Sequence, residues 1–549
     1  MIQKEDSAPA TVQGIPPKLR GKPWPTLVAV AVGVMMVALD STIVAIANPA
    51  IQQDLHASLA DVQWITNGYL LALAVSLITA GKLGDRFGHR QTFLIGIAGF
   101  IVTSAAIGLS GSVALIVLFR VLQGLCGALM QPAALGLLRI TFPPEKLNMA
   151  FGIWGGVVGI STAAGPIVGG ALVEHVSWQS VFFINVPVGL AALVLGLLIL
   201  KDERAERAPQ HLDALGVTLL SAAMFCLVWG LIKAPEWGWR DARTLGFLLA
   251  ALLAFTGFAF WENRVREPLI PLRMFRSVPL TAGTVLMILM SFSFIGGLFF
   301  VTFYLQNVHG LSPVDSGLHL LPLTAMMIVG SPIAGAAIGK LGPRIPLVTG
   351  MVLTAVSLWG MSTMTADSGM GTVSLWFVLL GLGLAPVMVG ATDVIVSNAP
   401  TELAGVAGGV QQSAMQIGGS LGTAVLGVLM ASRVDTVLPR KWAEAGLEPL
   451  PAEQAGSLAA AAKVGAVPPA EPGTPQQTVD AVAGAVHAAF TSGMGLAFTV
   501  GGVVAVVAAG VAGFTRKAPE AEADVRTSEP RTSGASAPVA GPGPKSAEA

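Results

Sequence analysis

Asp40 stands in the run "MMVALDSTIVAIANPAI", with apolar residues on both sides. It lies about 14 residues into an apolar stretch, roughly 21 Å from where that stretch starts at 1.5 Å per residue. An acid at such depth is costly in hydrocarbon and marks a functional site by default. Its carboxyl prefers the neutral form unless paired, which suits a group that takes and gives a proton. The alternative is a structural polar contact, for instance to Asn48. Arg120, in "LFRVLQGLCGALMQP", is the natural partner. It lies about 7 residues, roughly 10 Å, from the opposite membrane face, at a depth similar to that of Asp40. Two opposite charges buried at matched depth can pair, and protonating the acid would break the pair. The alternative for Arg120 is to reach the surface along its aliphatic stem.

A second constellation is "GKLGDRFGHR", residues 81–90, which packs Lys82, Asp85, Arg86, His89 and Arg90 between two long apolar runs. Its basic residues serve to orient a membrane chain, but acids contribute little to orientation, so Asp85 calls for another explanation. In "GISTAAGPIVGG", residues 159–170, Gly165, Gly169 and Gly170 permit close helix approach, and Pro166 disturbs the hydrogen-bond ladder. Tight packing and a bend that repacks during a conformational change are both compatible with that spacing. Gln123 and Gln131 share the run of Arg120 and can satisfy further hydrogen bonds there; with Asn185, Gln412, Gln416 and Asp393 they are also candidates for the polar lining of a substrate cavity, and for Asp393 an interfacial position near a span end is the first reading. Gln411 shares the Gly-rich run of Gln412 and Gln416. Cys126 and Cys226 fall inside apolar runs and read as small packing residues. The chain carries no P-loop, no HExxH and no CxxC pair, and no metal or other cofactor is expected.

The elements that hold these residues follow from composition. Of 549 residues 53% are hydrophobic and 11% charged, far from the balance of a water-soluble domain. The apolar stretches are about 20 residues long, enough to cross a hydrocarbon core of roughly 30 Å. Fourteen spans are expected, beginning at 26–50 and ending at 489–514. Loop charge orients them. One set of short loops holds Lys82, Arg86, Arg90, Arg139, Lys146, Lys201, Arg204, Arg207, Arg264, Arg266, Arg273, Arg276, Lys340 and Arg344; the opposite set holds only Lys233, Arg240 and Arg243. The first set, and with it both termini, is expected in the cytoplasm, in a multi-pass chain of the inner (cytoplasmic) membrane.

Gly81-Lys82-Leu83-Gly84-Asp85-Arg86 recurs as Gly339-Lys340-Leu341-Gly342-Pro343-Arg344. Each copy follows the second span of a six-span group, so the chain reads as two related halves. The expected organisation is a tail over 1–25, a six-helix bundle over 26–200, a linker with two extra spans over 201–277, a second bundle over 278–514 with an external loop over 433–488, and a Pro/Ser-rich disordered tail over 515–549. Repeated bundles around a central site are the architecture of many secondary transporters.

These motifs, in order, resemble those of the major facilitator superfamily. "GKLGDRFGHR" resembles its motif A, "LFRVLQGLCGA" its motif B and "STAAGPIVGG" its antiporter motif C. "LDSTIVAIANPAI", "WQSVFFINVPVG" and "YLQNVHGLSPVDSGLHLLP" resemble the fourteen-span drug:proton antiporter branch. Ser161 stands where motif C usually opens with Gly, Gln179 replaces the usual Arg after Trp178, and Asn48 replaces an apolar residue before Pro49. The resemblance implies an all-α major facilitator fold of two six-helix bundles plus two extra central helices. It implies efflux of drugs, antibiotics or other amphipathic or cationic molecules by alternating access, driven by the proton gradient. Asp40 and Arg120 would couple protons. Gly81, Asp85, Arg86, Gly88 and Arg90 would form a cytoplasmic gate whose charged members pair with neighbouring helices. Gly165, Pro166, Gly169 and Gly170 would form the element that flexes. The partners expected are a small-molecule substrate, protons and the lipid bilayer, with no nucleic acid and a monomer as the simplest state. A transporter of lipid, peptide or amino acid and a non-transporting membrane scaffold or sensor are the alternatives.

Overall fold

The computed structural model describes residues 20–57, 59–201, 213–266, 268–448, 451–469 and 475–516. Most of both expected tails, and Arg204 and Arg207, lie outside the described residues. Among the described residues every regular element is helical. In chain order these are α1 (Pro23–Asp54), α2 (Leu59–Phe87), α3 (His89–Gly108), α4 (Val113–Thr141), α5 (Pro144–His175), α6 (Ser180–Phe183), α7 (Asn185–Ile199), α8 (Ala214–Trp237) and α9 (Ala242–Glu262). They continue as α10 (Val278–Phe303), α11 (Pro313–His319), α12 (Leu321–Leu341), α13 (Arg344–Met361), α14 (Met370–Ser397), α15 (Ala404–Glu444), α16 (Ala452–Ala462) and α17 (Gln476–Ala512). They supply 14 stretches long and apolar enough to cross a membrane. Helices satisfy every backbone group internally, which hydrocarbon demands.

The first six spans pack mainly among themselves, α1 on α5 and α7, α2 on α4, and α3 on α4 and α7. In the last six, α10 packs on α15 and α17, α12 on α14, and α13 on α14 and α17. The extra pair α8 and α9 pack on each other, and α8 lies against both α2 and α15. There Trp64 stacks on Trp229 with ring centroids 4.8 Å apart. At one end of the molecule, the near end, α1 begins and α2 turns into α3 at Gly88. Its φ of 99° is a left-handed conformation that favours glycine. The sixth span is formed by α6 and α7 joined through Ile184, which keeps helical dihedrals.

Over 433–488, expected as an external loop with a short helix at 477–488 leading into the last span, the described residues are largely helical. α15 continues without interruption through Pro439 to Glu444, α16 forms one further helix, and α17 starts at Gln476, so that 477–488 is part of the last span's helix. The Ala-rich composition that reads as loose connection favours helix once the segment has a surface to lie on. Lys463 pairs with Asp435 at 2.9 Å, and Asn307 donates to the Val464 carbonyl at 2.6 Å.

Candidate functional site: a buried ion pair beside a central cavity

Asp40 on α1 and Arg120 on α4 meet. Arg120 Nη1 donates to Asp40 Oδ2 at 2.6 Å, and neither residue is more than 1% exposed. The guanidinium also donates from Nη1 to Gln123 Oε1 at 2.5 Å and from Nε to the Ile65 carbonyl at 3.1 Å. Its plane lies over the Tyr69 ring, 4.1 Å from the centroid. Asp40 Oδ1 accepts from Asn185 Nδ2 at 2.9 Å and from Gln123 Nε2 at 3.2 Å. Ser104 Oγ accepts from the same two amides. Two charges can stay buried when each is paired and its remaining capacity is met by hydrogen bonds, as here. Arg120 does not reach the surface. Asn48 serves a different contact, donating to Thr66 Oγ1 at 3.2 Å.

Local sequence explains the geometry. Gly124 lets α4 approach α2, since a Cβ there would stand 2.4 Å from the Tyr69 carbonyl. Gly165 and Gly169 do the same for α5 against α1, where Cβ atoms would meet Thr42 Oγ1 and Ile43. This is close packing beside Asp40, and α5 runs as one helix from Pro144 to His175. Gly170 instead faces Val314 of α11. Asn185 stands in the first turn of α7 and reaches Asp40 from there.

The 81–90 stretch locks the near end. Asp85 is buried, and its two carboxylate oxygens accept from the backbone N–H groups of Gly405 at 2.8 Å and Val406 at 2.9 Å, at the start of α15. A carboxylate there meets donors that the helix itself leaves unpaired and the positive end of its dipole. His89 lies 3.4 Å from the same carboxylate. Gly81 and Gly405 touch backbone to backbone. Arg90 Nη2 donates to the Leu197 carbonyl at 3.4 Å, and Lys82 Nζ to the Pro268 carbonyl at 3.1 Å, tying the segment after α9 to α2. The Arg86 guanidinium lies 4.9 Å from the centroid of the adjacent Phe87 ring.

Between the two sets of spans lies a cavity of about 180 Å³. Gln131, Gln412 and Gln416 line it, together with Ser41, Tyr69, Leu73, Trp154, Thr162, Met388 and Met415. Gln412 Nε2 donates to Gln131 Oε1, bridging α15 and α4 toward the near end. Toward the far end Ser41 and Thr162 are exposed. Three cavity candidates sit elsewhere. Gln123 and Asn185 turn away to hold Asp40. Asp393 is buried near the near end, where Ser397 Oγ donates to it at 2.8 Å and the Asn148 amide faces it at 2.7 Å. Arg139 closes that corner by donating to the Ser397 carbonyl at 3.1 Å. Gln411 is fully buried against Met287 Sδ.

Sequence reasoning missed Tyr69, Ser104 and Trp154. Ser and aromatic residues are frequent in apolar helices, so their types alone carry no signal. It also missed Glu262, whose buried carboxylate accepts from the Leu269 and Ile270 N–H groups at 3.2 and 3.3 Å and so shapes the segment that Lys82 grips.

Residues 30–423 match the family described as Major Facilitator Superfamily. The chain is 77% identical over 513 residues to the tetracenomycin C resistance and export protein of Streptomyces glaucescens, covering 93% of this chain and 94% of the relative. It is 32% identical to the multidrug efflux pump LfrA of Mycolicibacterium smegmatis, over 91% of this chain and 98% of that one. Among solved structures, the human organic anion transporter MFSD10 (TETRAN) superposes with a TM-score of 0.58 at 13% identity, covering 91% of this chain and 100% of its own. At that identity the likeness speaks for the fold alone.

Proposed function

Because this chain belongs to the major facilitator superfamily and its drug-efflux members, and so is a multi-pass membrane transporter rather than an enzyme, we propose that it exports an antibiotic or drug in exchange for protons. The printed role of the relative at 77% identity supports the export direction and the antibiotic class. The observation that carries the coupling is the Asp40–Arg120 pair, fully buried, hydrogen-bonded on all sides and separated from the cavity by Tyr69. A proton on Asp40 cancels the charge that holds Arg120 to α1 and leaves the guanidinium to its remaining acceptors, Gln123 Oε1 and the Ile65 carbonyl.

Loop charge puts the near end in the cytoplasm. In that orientation the Asp85–Gly405–Val406 contact closes the cytoplasmic mouth, and the cavity faces outward. A proton arriving from outside neutralises Asp40, Arg120 loosens its hold on α1, and the inter-bundle contacts at the near end part to admit substrate. Release of the proton inside restores the pair. The energy source is the proton gradient.

The test is transport in proteoliposomes with an imposed pH gradient. Wild type is expected to dissipate ΔpH when an exported antibiotic is added, and Asp40→Asn to leave ΔpH intact while still binding the antibiotic. Coupling in Asp40→Asn equal to wild type would remove Asp40 from the proton path.

A further inference from the structure

The second copy of the repeated motif, Gly339–Arg344, supplies no acid to the lock at the near end. The first copy sets Asp85 beside Arg86; in the second, Pro343 stands in the acid's place beside Arg344. Arg344 is exposed, and among the described residues no hydrogen bond or ion pair engages it. It stands at the rim of a groove of about 390 Å³ between the start of α13 and the end of α17. Ile345, Val348 and Thr349 line one side, and Ala509, Gly510 and Gly513 the other. Farther along, the two helices close on each other. Trp359 Nε1 donates to the Thr499 carbonyl at 3.2 Å, and a Cβ on Gly502 would stand 2.5 Å from the same indole nitrogen. Around Gly510 they part, and a Cβ there would meet nothing within 4 Å. The groove's described lining holds one cation and no acid. Lys340 and Arg516, both exposed, stand close to it in the chain. From the groove toward Trp359 the outward faces are apolar, with Val352 and Val356 on α13 and Val503, Val506 and Val507 on α17 all exposed.

We propose that this groove binds one anionic phospholipid of the cytoplasmic leaflet, with its phosphate on Arg344 and an acyl chain along the apolar track between α13 and α17. Loop charge makes the near end the cytoplasmic one, so Arg344 lies where the head groups of that leaflet run. A guanidinium grips a phosphate through two parallel N–H···O bonds, and basic pockets between membrane helices on this side suit anionic head groups. From Arg344 to Trp359 is about 15 residues, roughly 22 Å of helix, enough for one leaflet of a hydrocarbon core of roughly 30 Å. A soluble anion would use the guanidinium alone and gain nothing from the track. Orienting the chain would need the charge but no groove. The groove shares no lining residue with the central cavity, so the inference holds whichever compound is exported and whether or not Asp40 carries the proton.

The experiment is native mass spectrometry of the purified full-length protein in detergent, titrated with phosphatidylglycerol and with phosphatidylcholine of the same acyl chains. The choline cation would face Arg344, Lys340 and Arg516. Wild type is expected to bind one phosphatidylglycerol about tenfold more tightly than phosphatidylcholine, the effect of one charge-assisted contact. Arg344→Gln should bring phosphatidylglycerol down to the level of phosphatidylcholine. Gly510→Leu keeps every charge, fills the groove with a good helix former and should weaken phosphatidylglycerol about tenfold. Lys146→Gln removes an exposed cation at the same end of the first set of spans and should leave that affinity within about twofold. Equal losses in Lys146→Gln and Arg344→Gln would mean a diffuse field of charge rather than a site. Unchanged binding in Gly510→Leu would mean a charge without a groove. Either result overturns the proposal. So would displacement of phosphatidylglycerol by excess inorganic phosphate, which would mark a site for a soluble anion, or equal affinity of wild type for the two lipids.

Discussion

Replacing Gly81 with Ala tests the lock at the near end. A Cβ on Gly81 would stand 2.2 Å from the Gly405 carbonyl oxygen. A carbon–oxygen contact settles near about 3.3 Å, so α2 and α15 must move apart by about 1 Å. Neither partner can give way locally, because both contacts are backbone. Asp85 rides on α2 and its acceptor bonds to Gly405 and Val406 measure 2.8 and 2.9 Å. After the shift they would be about 3.8 Å or longer, beyond hydrogen-bond range. Two bonds to a charged group are worth about 1.5 kcal/mol each at the low end, about 3 kcal/mol together. That moves the ratio of closed to open near ends by roughly a hundredfold. Spin labels on Lys146 and Arg344, exposed at the near end of the two sets of spans, report the change by double electron–electron resonance. Wild type should give one short distance, and Gly81→Ala a dominant longer one. Asp85→Asn, which keeps the shape and removes the charge, should shift the distribution in the same direction. A Gly81→Ala distribution that overlays wild type would refute the reasoning, since the near end would then close without the backbone contact.

Two further outcomes follow from the same geometry. Arg120→Ala leaves Asp40 buried and unpaired, at a cost of about 3–5 kcal/mol, so the melting temperature in detergent should fall well below wild type. Arg120→Lys should recover only part of it, because a lysine cannot span Asp40, Gln123 and the Ile65 carbonyl together; an Arg120→Ala protein as stable as wild type would sink this. Gly165→Ala places a Cβ 1.9 Å from Thr42 Oγ1 and should abolish export, and Thr42→Gly in the same chain should restore it. Failure of that rescue would mean that Gly165 is needed for backbone freedom rather than for space.

Much of this protein was legible in its residue order. The spans are visible because hydrocarbon demands long unbroken apolar runs, and their number survives in the structure. Asp40 and Arg120 could be matched at long range because a charge at such depth must find its opposite, and depth is set by counting residues along a helix. Asp85 could be singled out because no rule of orientation requires an acid there. Asn185 and Gln123 look like any polar residues in a membrane helix. Only the packing of α7 and α4 against α1 decides that they hold Asp40 rather than face the cavity. Gln131 and Gln412 are 281 residues apart, and their bridge exists only because α4 and α15 cross. Local sequence determines how much polar chemistry a helix carries and at what depth. Which helix faces receive that chemistry is decided by close packing among the helices, where small residues set the approach and long-range contacts set the rotation.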